Sequence, residues 1–140
     1  MAAIRGADTK PEMVIRKGLH ARGFRFRLHD RKLSGRPDLV LLKFHAVIFV
    51  HGCFWHGHDC PMFHWPKTRD AFWREKIGAN QVRDRTALAA TKAAGWRCAI
   101  VWECALKGRG RLDAGRVIDS LAAWLSSDAE QLCIEGLRCD

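Results

Sequence analysis

The sequence predicts an α/β domain with a central mixed β-sheet flanked by helices. Short apolar runs bounded by turn residues alternate with longer segments of helical period, in the order helix, three strands, helix, strand, helix. The run at residues 39–42 is apolar at every position, which is typical of a strand covered on both faces. At 140 residues, the chain is expected to form one domain over residues 1–140.

The first element is predicted to be a helix over residues 10–22, capped by Asp8 or Thr9 and ended by Gly23. Its apolar positions share one face: Met13, Ile15 and Leu19. Thr9 and Glu12 have the spacing of a capping box, in which the glutamate side chain closes the first turn. Glu12 is therefore as consistent with a structural cap as with a functional role.

Three strands are predicted next. Residues 24–28 alternate apolar and basic side chains, the period of a half-buried strand. The apolar run described above and residues 46–50 form the following two strands, joined by a tight turn at residues 43–45. This short connection favours a hairpin, which places Asp38 and His51 at the same end of two neighbouring strands. Their proximity is the first indication of a functional site.

The second half of the chain is predicted to contain two helices and one strand. Asp70 caps a long helix over residues 71–94. An apolar strand over residues 96–102 follows, and a helix over residues 113–125 has a regular apolar face. Residues 127–140 are weakly patterned, so we expect a loosely structured tail.

Positive charge is spread along the chain. Lys and Arg number 24 against 15 Asp and Glu, which gives a net charge of +9. The excess favours a polyanionic partner such as DNA, although a basic surface can also serve solubility alone. No apolar run approaches the ~18 residues that a bilayer span needs, and the N-terminus has no apolar leader. We therefore expect a cytoplasmic protein without a membrane partner.

Residues 49–60, FVHGCFWHGHDC, carry the densest chemistry in the chain. Cysteines interleaved with histidines in a reducing compartment favour a zinc site over disulfides. The candidate ligands have sulfur or imidazole side chains: Cys53, Cys60, Cys104 and either His56 or His58. The alternative is a set of reduced cysteines without metal. The other cysteines are interpreted as thiols without a metal role: Cys98, Cys133 and Cys139.

A zinc ion with four protein ligands cannot activate water, so a reaction at this site needs other groups. The side chains that remain near the same strand ends, or on the first helix, are Asp38, His51, His56 and Glu12. An aspartate that can hold magnesium, beside imidazoles that transfer protons near neutral pH, suits phosphodiester hydrolysis. Asp38 follows Gly-Arg-Pro, however, and such an aspartate is ordinarily a turn residue.

Four segments of the chain resemble the very short patch repair (Vsr) endonucleases of bacteria: GRPDLV, VIFVHGCFWHGHDC, TRDAFWREKIGAN and GWRCAIVWECAL. The similarity runs from about Thr9 to Leu125. It implies the fold of type II restriction endonucleases and a magnesium-dependent activity that nicks one DNA strand beside a T:G mismatch. It also implies a nucleoid-associated monomer that acts on double-stranded DNA, with mismatch-repair proteins as further partners.

The resemblance also implies roles for residues at matching positions. Magnesium is held by Asp38 and by the main-chain carbonyl of Val50. The active-site histidines and their supporting glutamate are His51, His56 and Glu12. Structural zinc is bound by Cys53, His58, Cys60 and Cys104. The aromatic side chains that enter the duplex at the mismatch are Phe54, Trp55 and Trp73. We expect His56 to act as general base, with His51 assisting at the phosphate or leaving oxygen and Glu12 orienting the histidines.

The sequence departs from the family pattern in three ways. Relatives usually have a further basic arm ahead of the position of Met1, and a short arm is expected to weaken DNA binding. Val50 stands where threonine is common, but a main-chain contact tolerates this exchange. Gly57 and Asp59 replace histidines of a longer run, at positions that are not ligands.

The residues themselves leave two other functions open. A zinc-stabilised DNA-binding module without cleavage activity fits the basic charge and the cysteines. A zinc hydrolase would use His56 and His58 as ligands of an open zinc and leave Cys104 uninvolved. Apart from the resemblance, Phe54 and Trp55 are also consistent with ordinary core aromatics.

Overall fold

The computed structural model describes residues 9–137. This part of the chain forms three α-helices and five strands: α1 (Lys10–Ala21), β1 (Arg27–Leu28), β2 (Leu39–Leu41), β3 (Ala46–His51), α2 (Asp70–Ala93), β4 (Arg97–Trp102), α3 (Ala114–Leu125) and β5 (Gln131–Ile134). The strands form one sheet in the order β1-β2-β3-β4-β5. The first three pair antiparallel and the last three pair in parallel. The predicted α/β class with a mixed sheet is therefore confirmed.

Helices cover the sheet on two faces. α1 and α3 pack over one face through apolar side chains such as Ile15 and Leu121, together with alternate residues of β2 such as Leu39. Leu88 of α2 packs on the other face, against Val40 and its neighbours. Because successive strand residues point to opposite faces, the apolar run of β2 supplies both cores.

α1 and α3 approach each other closely at Gly18. A Cβ atom at this position would lie 2.5 Å from side-chain atoms of Ile118 on α3. Glycine therefore allows the two helices to pack at short range, and this contact fixes α1 against α3.

The β2–β3 hairpin forms as predicted, with one difference. Leu42 is not part of β2, because it begins a short 3₁₀ turn that ends at His45 in the left-handed region (φ 52°). The register pairs Leu39 with Ile48, so the ends of β2 and β3 bring Asp38 beside Val50. β4 runs parallel to β3 with His51 opposite Trp102, and the loops after both strands therefore leave the same edge of the sheet.

The expectation of a frayed tail was wrong for residues 131–134. These residues form β5, which pairs in parallel with β4 from Cys98 opposite Gln131 to Val101 opposite Ile134. Ile134 is buried in the main core. The strand is short and gains its stability from a partner that lies far away in sequence, so local pattern gave little signal. Cys139 and residues 138–140 lie outside the described residues.

The strand predicted at residues 24–28 was too long. Only Arg27 and Leu28 pair with β2, and both are exposed at the sheet edge. Phe24 and Phe26 instead pack against the core from a loop, which explains their apolar spacing without a strand.

The helix ends also differ from the predictions. Thr9 makes no side-chain cap and Asp8 lies outside the described residues. Asp70 is the first residue of α2, and the N-cap is Arg69, which adopts a left-handed conformation (φ 56°). α3 begins at Ala114, one residue later than predicted, and Asp113 is its N-cap, because its side chain accepts a hydrogen bond from the Arg116 amide at 3.2 Å. No helix within residues 9–137 is long and apolar enough to cross a bilayer.

Candidate active site

Four candidate metal ligands converge at the edge of the sheet where β3 and β4 end. Their ligand atoms lie within 4.8 Å of one another: Cys53, His58, Cys60 and Cys104. His58 Nδ1 is 3.6 Å from the sulfur of Cys53 and 3.6 Å from that of Cys104. His58, and not His56, therefore lies with the cysteines. The grouping arises because Cys53 and Cys104 follow neighbouring parallel strands.

The side chains of this cluster have chemistry that fits zinc. Three cysteine sulfurs and one imidazole nitrogen form a donor set of the kind that structural zinc takes. Burial raises the pKa of the Cys53 and Cys104 thiols, so the protein alone keeps them protonated. A divalent cation is the partner that would ionise them.

Groups around the cluster orient its ligands. The ring of His58 stacks on Trp102 with a centroid distance of 4.0 Å. Its Nε2 lies 3.2 Å from a carboxylate oxygen of Glu135, just beyond β5. The Gly136 amide donates to the sulfur of Cys104 at 3.3 Å. The unexpected fifth strand thus brings two groups of the tail to the cluster.

A second group of polar side chains lies beside the first. His51, at the end of β3, stacks on His56 with ring centroids 3.9 Å apart and an angle of 4° between the planes. His56 Nδ1 is 2.5 Å from a carboxylate oxygen of Asp84, on α2. His56 therefore lies between the ring of His51 and the carboxylate of Asp84, in contact with both.

His51 is held in its neutral form. Burial lowers its pKa to about 3, and the neighbouring His56 adds to the effect. A neutral imidazole keeps one ring nitrogen that can accept a hydrogen bond and one that can donate it. At neutral pH, the His51 ring is therefore uncharged and able to form hydrogen bonds.

α2 holds the loop that carries His56. Asn80 donates from its side chain to the Trp55 carbonyl at 2.9 Å, and Gln81 donates to the His56 carbonyl at 3.3 Å. Asn80 and Asp84 are four residues apart and so lie on one face of the helix. The same helical face thus fixes both the main chain and the side chain of His56.

A third polar group joins Asp38 to α1. His29 Nε2 lies 2.7 Å from a carboxylate oxygen of Glu12 and 3.8 Å from one of Asp38. Arg16 also forms an ion pair with Glu12. Glu12 is almost fully buried, at 1% exposure, so these partners offset the cost of removing its charge from water. Thr9 makes no side-chain cap, so the capping-box interpretation of Glu12 was wrong.

Asp38 sits between the hairpin and this network. Its Oδ2 accepts a hydrogen bond from the Val50 amide at 2.6 Å. Burial is the main cause that raises the pKa of Asp38 to about 7, and the negative charge of Glu12 contributes in the same direction. The hydrogen bond from Val50 acts in the opposite direction. Asp38 is thus a carboxylate whose ionised form lacks a sufficient positive partner, a property common at functional sites.

Two cavities meet at the histidine pair. One has a volume of about 610 Å³ and reaches Phe54 and Trp55, and the other has a volume of about 450 Å³ and reaches Asp38. Both are lined by the same five residues: Val50, His51, His56, Arg83 and Asp84. The smaller cavity alone can hold a cation at Asp38 and a proton acceptor at His56, because both residues line it.

Aromatic rings form a cluster next to the larger cavity. Phe54, Trp55 and Trp73 contact one another with centroid distances from 5.2 to 5.7 Å. Each is only partly buried, in contrast to the core side chains. The three residues that the sequence predicted to meet DNA bases therefore lie together on the surface.

Sequence reasoning missed Asp84 and His29. Asp84 is brought to His56 by the packing of α2, and His29 reaches Glu12 across 17 positions of the chain. The signal for Asp84 was the row of polar residues on one face of a long helix, namely Asn80 and Asp84. His29 has a left-handed backbone (φ 47°), which sequence alone did not indicate.

Comparison with known proteins gives consistent matches. The family described as DNA mismatch endonuclease Vsr matches residues 1–62. The DNA mismatch endonuclease Vsr of Escherichia coli strain K12 is 43% identical over 135 residues, which cover 96% of this chain and 86% of that protein.

Two proteins named as type II nicking enzymes are also similar. The enzyme V.XorIIP of Xanthomonas oryzae pv. oryzae is 48% identical over 114 residues, 81% of this chain and 84% of the relative. V.NmeAIP of Neisseria meningitidis is 44% identical over 109 residues, 78% of each chain. All three relatives are thus matched over most of their length.

Proposed function

Because the chain belongs to the Vsr family of DNA mismatch endonucleases, we propose that it nicks one strand of duplex DNA beside a T:G mismatch, with magnesium as its cofactor. Membership makes it an endodeoxyribonuclease, and the names of its nicking-enzyme relatives support cleavage of a single strand. The observation that carries the proposal is the cavity that Asp38 shares with the His51–His56 pair.

Asp38 and the main-chain carbonyl of Val50 would hold the magnesium ion. Carboxylate and carbonyl oxygens are ligands that magnesium prefers, and the hydrogen bond from the Val50 amide to Asp38 keeps the two residues side by side. The raised pKa of Asp38 indicates a site where added positive charge is favourable. When bound, magnesium would polarise the phosphate and offset its negative charge.

His56 is the proposed general base. Asp84 holds Nδ1 in place, which leaves Nε2 to take a proton from the attacking water. The Asp84 carboxylate also stabilises the imidazolium that forms when His56 accepts this proton. His51 is stacked on His56 and neutral, so its proposed role is to hydrogen bond the phosphate or the leaving oxygen.

The contacts of Glu12 support a revised role for this residue. The sequence indicated that Glu12 orients the histidines, but its carboxylate contacts His29, which in turn faces Asp38. We assign to Glu12 the positioning of the Asp38 carboxylate.

Recognition of the mismatch is assigned to Phe54, Trp55 and Trp73. Inserting aromatic rings between base pairs costs a few kcal/mol of stacking, and the cost is least where pairing is already weak. The low cost of unstacking at a T:G pair would therefore favour binding at the mismatch. Phosphates are drawn by the basic surface, in agreement with the net charge of +9.

Zinc at Cys53, His58, Cys60 and Cys104 is proposed to be structural. Four protein ligands leave no position for water, and the ion would tie the loop after β3 to the end of β4. Because His56 lies with Asp84, the alternative zinc hydrolase that uses His56 as a ligand loses its support.

The mixed sheet with helices on both faces supports the restriction-endonuclease fold. We further propose that residues 1–140 form one domain, which acts as a monomer on double-stranded DNA in the bacterial cytoplasm, together with mismatch-repair proteins.

The function is tested with an end-labelled duplex that contains one T:G pair. Magnesium should give a single nick in one strand, and Asp38→Ala should abolish it. Asp119→Ala, on the exposed side of α3, is the matched control and should cut normally. If the wild-type protein binds this duplex and cuts neither strand, the protein is the DNA-binding module without cleavage activity that the sequence also allowed.

A further inference from the structure

The aromatic cluster extends beyond the three rings assigned to the mismatch. Phe63 lies against Phe54 with centroids 5.9 Å apart, and Trp65 meets Phe63 edge to face at 4.9 Å. Phe72 meets Trp73 in the same way at 5.1 Å. The added rings continue the cluster outward, and two of them are well exposed, Trp65 at 39% and Phe72 at 42%.

An arginine lies over each exposed ring. The guanidinium of Arg69 is 4.0 Å from the centroid of Phe72, and that of Arg74 is 4.3 Å from the centroid of Trp65. These stacked pairs hold both partners in fixed orientations and place positive charge directly beside a flat apolar surface. We call Trp65, Arg74, Phe72 and Arg69 the aromatic–arginine platform.

A groove begins at Phe72 of the platform and shares lining residues with the catalytic cavities. It runs along α2 and is lined by Phe72, Glu75, Lys76, Ala79 and Arg83. Lys76 also lines the larger cavity at the histidine pair, and Arg83 lines both cavities. From Phe72 to Arg83 the helix rises ~16 Å.

The partner that fits this surface carries both negative charge and flat rings. In an intact duplex the bases are stacked on one another, so their faces are not available to protein side chains. Bases of an unpaired strand offer their faces, and basic grooves with aromatic side chains are a general solution for binding them. At the ~3.4 Å rise of a stacked strand, the groove length holds at most about five nucleotides, and an unstacked, more extended strand fits fewer.

We propose that the aromatic–arginine platform and the α2 groove bind unpaired nucleotides of the DNA strand that enters the active site, within about five nucleotides of the scissile phosphate. This inference rests on the proposed nicking function and extends its substrate class to mismatched duplexes that are unpaired next to the mismatch. The wedge residues would begin the unstacking, and the platform would hold the bases that leave the stack.

The test compares two T:G duplexes, one fully paired outside the mismatch and one with five unpaired nucleotides on one side of it. Affinities are measured by fluorescence anisotropy on an Asp38→Ala background, which keeps the DNA intact. We expect the duplex with unpaired nucleotides to bind about tenfold more tightly, because each stacked base contributes to the affinity.

The platform variants are Trp65→Ala and Phe72→Ala, and Lys76→Gln tests the groove without changing an aromatic residue. Each should reduce the preference for unpaired DNA several-fold. Val82→Ala, an exposed apolar residue of α2 that lines none of these surfaces, is the matched control and should keep the full preference. A 2-aminopurine base placed in the unpaired segment should be quenched by the control protein and less by Trp65→Ala.

The proposal would be overturned if the two duplexes bound with equal affinity, or if all three variants kept the full preference. The platform would then be interpreted as a binding surface for another protein. The same duplexes incubated with wild-type protein and magnesium report on the nicking function separately. Absence of nicking together with a retained, platform-dependent preference would refute the proposed function and not the DNA-binding surface.

Discussion

Asp84 acts on the site through the hydrogen bond between its carboxylate and His56 Nδ1 at 2.5 Å. The contact fixes which ring nitrogen of His56 faces the cavity and stabilises the charged ring. An amide at this position would keep the size of the side chain and lose the charge.

We therefore predict that Asp84→Asn lowers the single-turnover nicking rate about 100-fold or more, while the affinity for a T:G duplex changes less than threefold. The rate is measured with enzyme in saturating excess over DNA, and the affinity is measured by fluorescence anisotropy. Asp119→Asn is the control on an exposed helix surface. A rate close to that of the wild type would remove His56 from its assigned role as base.

Asp38 and His51 have opposite effects on stability as pH falls. His51 has a pKa lowered to about 3, so below pH 6.5 the unfolded chain binds a proton that the folded protein does not, and acid destabilises. Asp38 has a pKa raised to about 7, so between pH 7 and 3.8 the folded protein binds a proton that the unfolded chain lacks, and acid stabilises. In the wild-type protein the two contributions largely offset each other.

Replacing one of the two side chains should make the pH-dependent contribution of the other to stability measurable. Without magnesium, Asp38→Asn should lose up to ~1.4 kcal/mol of unfolding free energy per pH unit on acidification below pH 6.5. His51→Gln should instead gain stability between pH 7 and 5. Urea unfolding at several pH values measures the unfolding free energy of both variants. All proteins should have the same zinc content. Parallel profiles for the two variants would show that neither pKa shift contributes to stability.

β5 and the segment after it connect the end of the chain to the cluster of cysteines. Glu135 faces His58 Nε2, and the Gly136 amide donates to Cys104. A carboxylate on the distal nitrogen of a metal-binding histidine fixes its tautomer and increases its basicity. The position of β5 is thus coupled to the proposed zinc site.

We predict one tightly bound zinc per chain, its loss in Cys104→Ser, and a 10- to 100-fold weaker zinc affinity in Glu135→Gln. Competition with a chromogenic chelator measures the affinity. Glu130→Gln, at an exposed position just before β5, is the control and should bind zinc normally. Full zinc content in Cys104→Ser would exclude this residue from the ligand set.

The extent to which the molecule could be predicted follows from the distance in sequence between interacting residues. β3 and β4 were predicted because their apolar residues are contiguous, and α3 because its apolar face is regular. β5 and the link from Asp84 to His56 could not be predicted, because each depends on packing between segments far apart in the chain. Family resemblance, and not spacing, separated His58 from His56 as a candidate ligand.

At the scale of the whole molecule, charge and aromatic surface are expected to make separable contributions to DNA binding. The net charge of +9 acts on any duplex through the release of counterions from phosphates. Phe54, Trp55 and Trp73 lie together on one surface and would act only where bases unstack. We expect unstacking to leave the number of phosphate contacts unchanged.

We predict that affinity for both a T:G duplex and a fully paired duplex falls steeply, by 10-fold or more, between ~50 and ~200 mM salt, whereas their ratio changes little. Trp55→Ala should lower the ratio at every salt concentration and leave the slope of log affinity against log salt unchanged. Titrations at four salt concentrations measure both quantities. A preference for T:G that disappears as salt rises would mean that the mismatch is recognised through phosphate positions, since only electrostatic contacts are weakened by salt in this way.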